Sequence, residues 1–239
     1  MAGGLLLARF GRVAKGVEAK SSATDMVSDA DREAEAALVE ILGSERPDDG
    51  ILGEEGASRP GSSGRQWVID PLDGTTNFLW SYPAWCVSIG LEDSGGGLAA
   101  VVHDPVRGET FRAARGHGAD LDGRPLRVRD GGPLGDALIA TGFGYAAGMR
   151  GEQAAVLTRV LPHVRDIRRG GSAALDLAWV AAGRLDGYFE RGGNPWDWSA
   201  GSLLVREAGG AIEGYEGEPP GLAAGAPWLV RELLELVRD

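Results

Sequence analysis

Cysteine is almost missing from this 239-residue chain. Cys86 stands alone, which excludes a disulfide framework and points to a reducing compartment. Histidine is scarce as well. None of His103, His117 and His163 stands at a metal-ligand spacing such as HxxxH, so imidazole-rich zinc or copper sites are excluded and any metal has to be held by oxygens. No apolar run approaches the roughly 18–20 residues of a membrane span, and Leu5-Leu-Leu7 is too short for the core of a signal sequence. Lysine is confined to Lys15 and Lys20 among 24 basic residues, and Asn and Gln are nearly absent, a bias that a GC-rich genome explains. Positive charge is in overall deficit. A formal net charge of −11 argues against nucleic acid and anionic membrane as partners. The expectation is a soluble, cytoplasmic protein.

What is present is acid, placed at the ends of elements. Trp67-Val-Ile-Asp70 reads as a buried strand ending on a carboxylate. Pro71 then turns the chain, and Asp73-Gly74-Thr75-Thr76 opens a helix. Two carboxylates three residues apart across such a turn suit a divalent cation, and the amides at a helix start suit an anion beside it. That pairing is the apparatus of phosphoryl chemistry. Gly53-Glu54-Glu55 ends a short apolar run in the same manner. Asp197, between Trp196 and Trp198, falls in the first turn of another helix, and Ser28-Asp-Ala-Asp31 opens a third. Taken singly, each acid reads as a cap or a solvated turn. Their common placement is what singles them out, and an all-oxygen set points to Mg²⁺.

The coarse pattern is α+β and then α/β. Ala34, Ala37, Leu38, Ile41 and Leu42 give a helix over 30–42, capped by Ser28 or Asp29 and ended by Gly43. Strands follow at 66–69, 85–91, 99–103 and 109–113, with antiparallel pairing and a hairpin at 92–97. Gly131-Gly-Pro133 is expected to part an N-terminal lobe (1–132), carrying most of the acids, from a C-terminal lobe (133–239) carrying Asp197. In the second lobe strands at 137–141, 164–168 and 187–190 alternate with helices at 152–161, 172–182 and 196–208, before a last helix at 228–237. The tryptophans at 67, 179, 196 and 198 are expected to pack in the core. Gly170-Gly-Ser172 superficially matches a GxSxG elbow, but every histidine precedes Ser172, against the order of that fold.

Asp70-Pro-Leu-Asp-Gly-Thr-Thr76, Gly53-Glu-Glu55 and Trp196-Asp-Trp-Ser-Ala-Gly201 together resemble the inositol monophosphatase family, among the Mg²⁺-dependent, lithium-sensitive phosphatases. The likeness runs from about Lys20 to the end and takes in Gly171-Ser-Ala-Ala174 and Glu190. It implies a layered α-β-α-β-α fold, a homodimer, and two or three Mg²⁺ ions. By the same resemblance Glu54, Asp70 and the Leu72 carbonyl bind one ion, while Asp70, Asp73 and Asp197 bind a second. Thr75 would hold the attacking water, and the amides of Gly74 and Thr75 would hold phosphate. Asp73, Gly171, Ser172, Ala173 and Glu190 would line the alcohol side, and Lys20, Asp25 and Asp31 a mobile segment. The chain departs from the family pattern in a short stretch before Lys20, in Ser172 where threonine is common, and in Ala224-Gly-Ala-Pro227.

The implied reaction is hydrolysis of inositol 1-phosphate or a similar polyol monophosphate. Histidinol phosphate is the alternative, since Glu45-Arg-Pro-Asp-Asp-Gly50 and Gly64-Arg-Gln-Trp67 resemble the phosphatases acting on it. A bisphosphate such as fructose 1,6-bisphosphate or a 3′-phosphoadenosine phosphate would need a basic pocket, for which Arg165, Arg168, Arg169 and Arg191 are the candidates. A non-catalytic scaffold is the remaining reading.

Overall fold

The computed structural model of the chain describes residues 1–20 and 26–238; Asp25 lies outside them. The short apolar run at the start forms α1 (Ala2–Leu7), and Glu18–Ala19 (β1) pairs antiparallel with Met26–Val27 (β2). Ser28 caps α2 (Asp29–Glu45): its hydroxyl accepts from the Ala30 amide, while Asp31 reaches back to the Ser28 amide. This reciprocal box fixes the start of the helix. Its apolar face, with Ala30, Ala34 and Leu38, is buried together with Leu6 of α1.

The larger sheet is built from β3 (Gly50–Gly53), β4 (Ser58–Arg59), β5 (Gln66–Asp73), β6 (Cys86–Asp93), β7 (Gly96–Asp104), β8 (Glu109–Ala114), β9 (Gly118–Leu121) and β10 (Arg124–Pro125). Spatially they run β10-β9-β8-β7-β6-β5-β3-β4. The pairing is antiparallel throughout except between β3 and β5, which are parallel. The four strands expected from the sequence do pair antiparallel; β3 was not among them, and its parallel pairing arises because the chain returns to β5 through the β4 edge instead of a hairpin. A short helix α3 (Thr75–Leu79) follows β5.

The smaller sheet comes from β11 (Leu138–Thr141), β12 (Asp166–Arg168), β13 (Gly187–Arg191), β14 (Ala211–Tyr215) and β15 (Gly221–Gly225), in the order β12-β11-β13-β15-β14. Helices α4 (Ala147–Val160), α5 (Ala173–Ala181), α6 (Pro195–Glu207) and α7 (Pro227–Val237) complete the chain. Side chains alternate across a strand with period two, and this sheet uses both faces. Tyr188 and Ala224 enter one core with α5 and α6, while Ile139, Phe189 and Ala223 enter another with α4 and α7.

The layers are therefore α1 and α2, the large sheet, α5 and α6, the small sheet, and α4 with α7. This is the expected α-β-α-β-α sandwich. The middle core joins Val102 and Phe111 of the large sheet to Leu177, Leu204 and Tyr188. An α5 that is apolar on nearly every side suits a layer covered by a sheet on each face.

Close packing of the middle layer gives a prediction. A Cβ on Gly201 of α6 would stand 2.6 Å from Leu177 Cβ on α5. Glycine to alanine ordinarily favours a helix by up to about 1 kcal/mol. Here overpacking should prevail, and Gly201→Ala should lose about 1–3 kcal/mol in a urea melt. A gain in stability would show that the two helices have room to part.

Candidate metal centre

Three carboxylates from two elements converge beneath the ends of the middle layer. The apolar strand β5 does not stop at Asp70 but runs on to Asp73 through a bulge, its register against β6 slipping between Asp70↔Ser88 and Asp73↔Cys86. Pro71 lacks the N–H a regular ladder would require, and the bulge brings both acids to one place. Asp197 enters from the first turn of α6, where its Oδ2 accepts from the Asn194 amide at 2.6 Å. Carboxylate oxygens of Asp70, Asp73 and Asp197 lie within 4.8 Å of one another.

Hydrogen bonds orient each acid. Asp70 Oδ1 accepts from the Leu72 amide at 2.9 Å, and Asp73 Oδ2 accepts from Ser172 Oγ and the Ala174 amide, both at 2.7 Å. Ser172, with its hydroxyl retained, thus supports an acid of the cluster. Burial pushes all three carboxyls up, and their mutual repulsion adds to it; Asp73 is pushed up to about 6. Glu54 stands beside Asp70 and raises it further. Its loop is held by Glu35 of α2, which accepts from the amides of Glu55 and Ala57 at 2.9 and 3.0 Å. Lys20 Nζ bonds Glu54 at 2.8 Å and Glu55 at 2.7 Å, so the one nearby ammonium serves the glutamates and not the aspartate trio.

Buried like charges gathered without a protein cation are unfavourable unless a cation joins them. The donors are hard oxygens throughout. The set therefore fits a divalent ion such as Mg²⁺ and does not fit a soft one.

Thr75 is buried at the start of α3, with its Oγ1 2.9 Å from Asp31 Oδ1 and 3.1 Å from the Leu72 carbonyl. Gly74, the residue before it, has φ of 100°, a conformation glycine adopts without strain. The sequence grouped Asp31 with Lys20 in a mobile segment. In the structure Asp31 is fully buried in the capping box of α2 and against Thr75. That contact was not foreseen. The signal available for it was the capping box, which orients one Asp31 oxygen and leaves the other to Thr75.

A cleft of about 360 Å³ opens beside the cluster. Its acidic side includes Asp73, Asp176, Glu190 and Asp197, with Gly171, Ser172 and Ala173 adjoining. Phe143, Tyr145, Met149 and Trp196 line it elsewhere, so Trp196 is a cleft residue and the core expectation for it is corrected. Burial raises Glu190 to about 7, against the opposing pull of the Tyr188 hydroxyl. Of the four arginines considered for a basic pocket, Arg165 pairs with Asp136 and Arg168 with Asp166, while Arg191 is buried over the Tyr215 ring. Arg169 alone of the four lines the cleft.

The model of the inositol monophosphatase family matches residues 1–236. An inositol-1-monophosphatase of Synechocystis is 44% identical over 230 residues, covering 94% of this chain and 78% of its own. A protein of Escherichia coli named Nus factor SuhB is 41% identical over 244 residues, covering 99% and 91%. The crystal structure of extragenic suppressor protein suhB from Bartonella henselae superposes with a TM-score of 0.93 at 40% identity, covering all of this chain and 94% of that one.

Proposed function

This chain belongs to the inositol monophosphatase family, a metal-dependent family, and on that premise we propose that it is a Mg²⁺-dependent phosphomonoesterase acting on inositol 1-phosphate or a similar polyol monophosphate. The observation that carries the proposal is the converging trio of buried Asp70 and Asp73 with half-buried Asp197, which among the described residues has no basic side chain as a hydrogen-bond partner.

Glu54, Asp70, the Leu72 carbonyl, Asp73 and Asp197 would hold two or three Mg²⁺ ions. Bound there, Mg²⁺ supplies Lewis acidity, neutralising phosphate charge and favouring ionisation of water. The residues supply the positioning. Thr75 Oγ1 donates to Asp31 and offers a lone pair to the attacking water, so a proton leaving the water has a path through the hydroxyl to Asp31 Oδ1. The amides of Gly74, just before α3, and of Thr75, its first residue, would face phosphate oxygens. Glu190, with Asp73 and the 171–173 backbone, receives the hydroxyls of the leaving alcohol. No covalent nucleophile is needed.

Glu190 could equally pair with an ammonium, which keeps histidinol phosphate as the alternative substrate. The arginine pairings weigh against a bisphosphate. The net charge supports a small-molecule substrate without nucleic acid or membrane, and a homodimer is the expected assembly. The Nus factor name carried by relatives such as the E. coli protein favours one second reading, a non-catalytic binding protein with this fold.

Phosphate release with Mg²⁺ from inositol 1-phosphate, histidinol phosphate and fructose 1,6-bisphosphate tests these readings. The highest kcat/KM is expected for inositol 1-phosphate. Preference for histidinol phosphate would reassign the substrate, and silence on all three, with Mg²⁺ still bound in calorimetry, would establish the binding protein.

A further inference from the structure

Tyr188 and Glu190 are two residues apart on β13 and so project to the same face of the strand. Tyr188 is wholly buried, and its hydroxyl donates to Glu190 Oε2. Burial and the neighbouring glutamate push the phenol up, so it keeps its proton and acts as a donor. Against the same carboxylate runs the backbone of Gly142, just beyond β11. A Cβ there would lie 1.9 Å from Glu190 Oε2 and 2.4 Å from Oε1. Glu190 is thus bonded by a buried hydroxyl and packed close against a bare backbone, at the wall of the cleft. Among the described residues the Tyr188 hydroxyl bonds Glu190 and none of the metal-cluster acids.

We propose that Tyr188, with Gly142, is a positioning residue that fixes Glu190 to receive a leaving-group hydroxyl, so that selectivity among phosphomonoesters is set by this phenol and not by the phosphate site. The proposal rests on the polyol-phosphatase reading above. One donor to Oε2 sets the rotation of the carboxylate and leaves Oε1 for a hydroxyl beside the phosphorylated carbon. An ester with no neighbouring hydroxyl gains nothing from that orientation.

The test is a double-mutant cycle of Tyr188→Phe and Glu190→Gln in the Mg²⁺-loaded full chain, assayed on inositol 1-phosphate and on 4-nitrophenyl phosphate. For Tyr188→Phe on inositol 1-phosphate, KM should rise about tenfold, as for loss of a hydrogen bond to a charged group, with kcat within about twofold. The aryl ester should be nearly indifferent. In the Glu190→Gln background the second substitution should add almost nothing, because the two residues act through one contact. Equal losses on both esters, or additive effects in the cycle, would overturn the proposal and leave Tyr188 a packing residue. A Gly142→Ala variant that folds should reproduce Glu190→Gln, and wild-type selectivity in it would also overturn the proposal. Wild-type protein silent on both esters would defeat the function reading itself, whereas active wild type with uncoupled variants would defeat this proposal alone.

Discussion

Asp73→Asn should lower turnover at least about a thousandfold while leaving the fold intact. Asp73 is the acid closest to all the others in role: it belongs to the trio, lines the cleft, and is held by Ser172 and the Ala174 amide. Asparagine keeps the shape, and its carbonyl can still accept from both donors. What it removes is one negative charge from the cluster that holds the cations, and charge stabilisation by a bound metal is worth several kcal/mol in such reactions. The same substitution relieves repulsion among buried carboxylates. In EDTA, therefore, the variant should melt at or above the temperature of the wild type, a separation of stability from activity expected at functional clusters. Retained turnover would refute the metal assignment, and a variant that unfolds in EDTA would refute the claim that the cluster is electrostatically strained.

The metal-free protein should lose stability as pH rises from about 4 through the Asp73 value of about 6, and Mg²⁺ should restore it. Asp70, Asp73 and Asp197 all have folded-state carboxyls above the ordinary value, Asp73 at about 6. Between the unfolded value near 4 and the raised folded values, the folded chain holds protons that the unfolded chain has released. Stability then falls with rising pH, by up to about 1.4 kcal/mol per pH unit for each such proton. Above that window the ionised trio is ready for a cation. Mg²⁺ at one hundred times its dissociation constant adds about 2.7 kcal/mol, equivalent to about 5–10 °C in Tm for a chain of this size. Scanning calorimetry across and above this range, with EDTA and with Mg²⁺, reads both effects. A Tm in EDTA that climbs through the window, or a Mg²⁺ shift that is as large at pH 5 as at pH 8, would contradict the clustering of the three acids. In Asp73→Asn the Mg²⁺ shift should largely vanish.

Much of this was written in local chemistry. The helix beginning at Asp29 was announced by Ser28 and its apolar spacing, and ran two residues past Gly43 because that glycine is tolerated inside a helix. The strands from Gln66, Cys86 and Glu109 carried period-two or buried apolar patterns. Others were silent. Ala211–Tyr215 and Gly221–Gly225 are rich in alanine and glycine, residues of low strand propensity, and become strands only because β13 offers an edge to β15 and β15 in turn offers one to β14. The parallel pairing of β3 with β5 has no local signal at all.

The sequence by itself determined the inventory: oxygen ligands in place of imidazole, carboxylates at element ends, a Gly74 turn, and a motif set that identifies the family. These are properties of residue type and near-neighbour spacing, which a linear pattern records. Tertiary structure alone decided how they combine. It brought Asp197 to within 4.8 Å of acids more than a hundred positions earlier, turned Asp31 toward Thr75, set Ser172 beneath Asp73, and committed three of the four candidate arginines elsewhere. The reason is that each of these depends on distance and burial between elements, and both are set by how the two sheets close on α5 and α6.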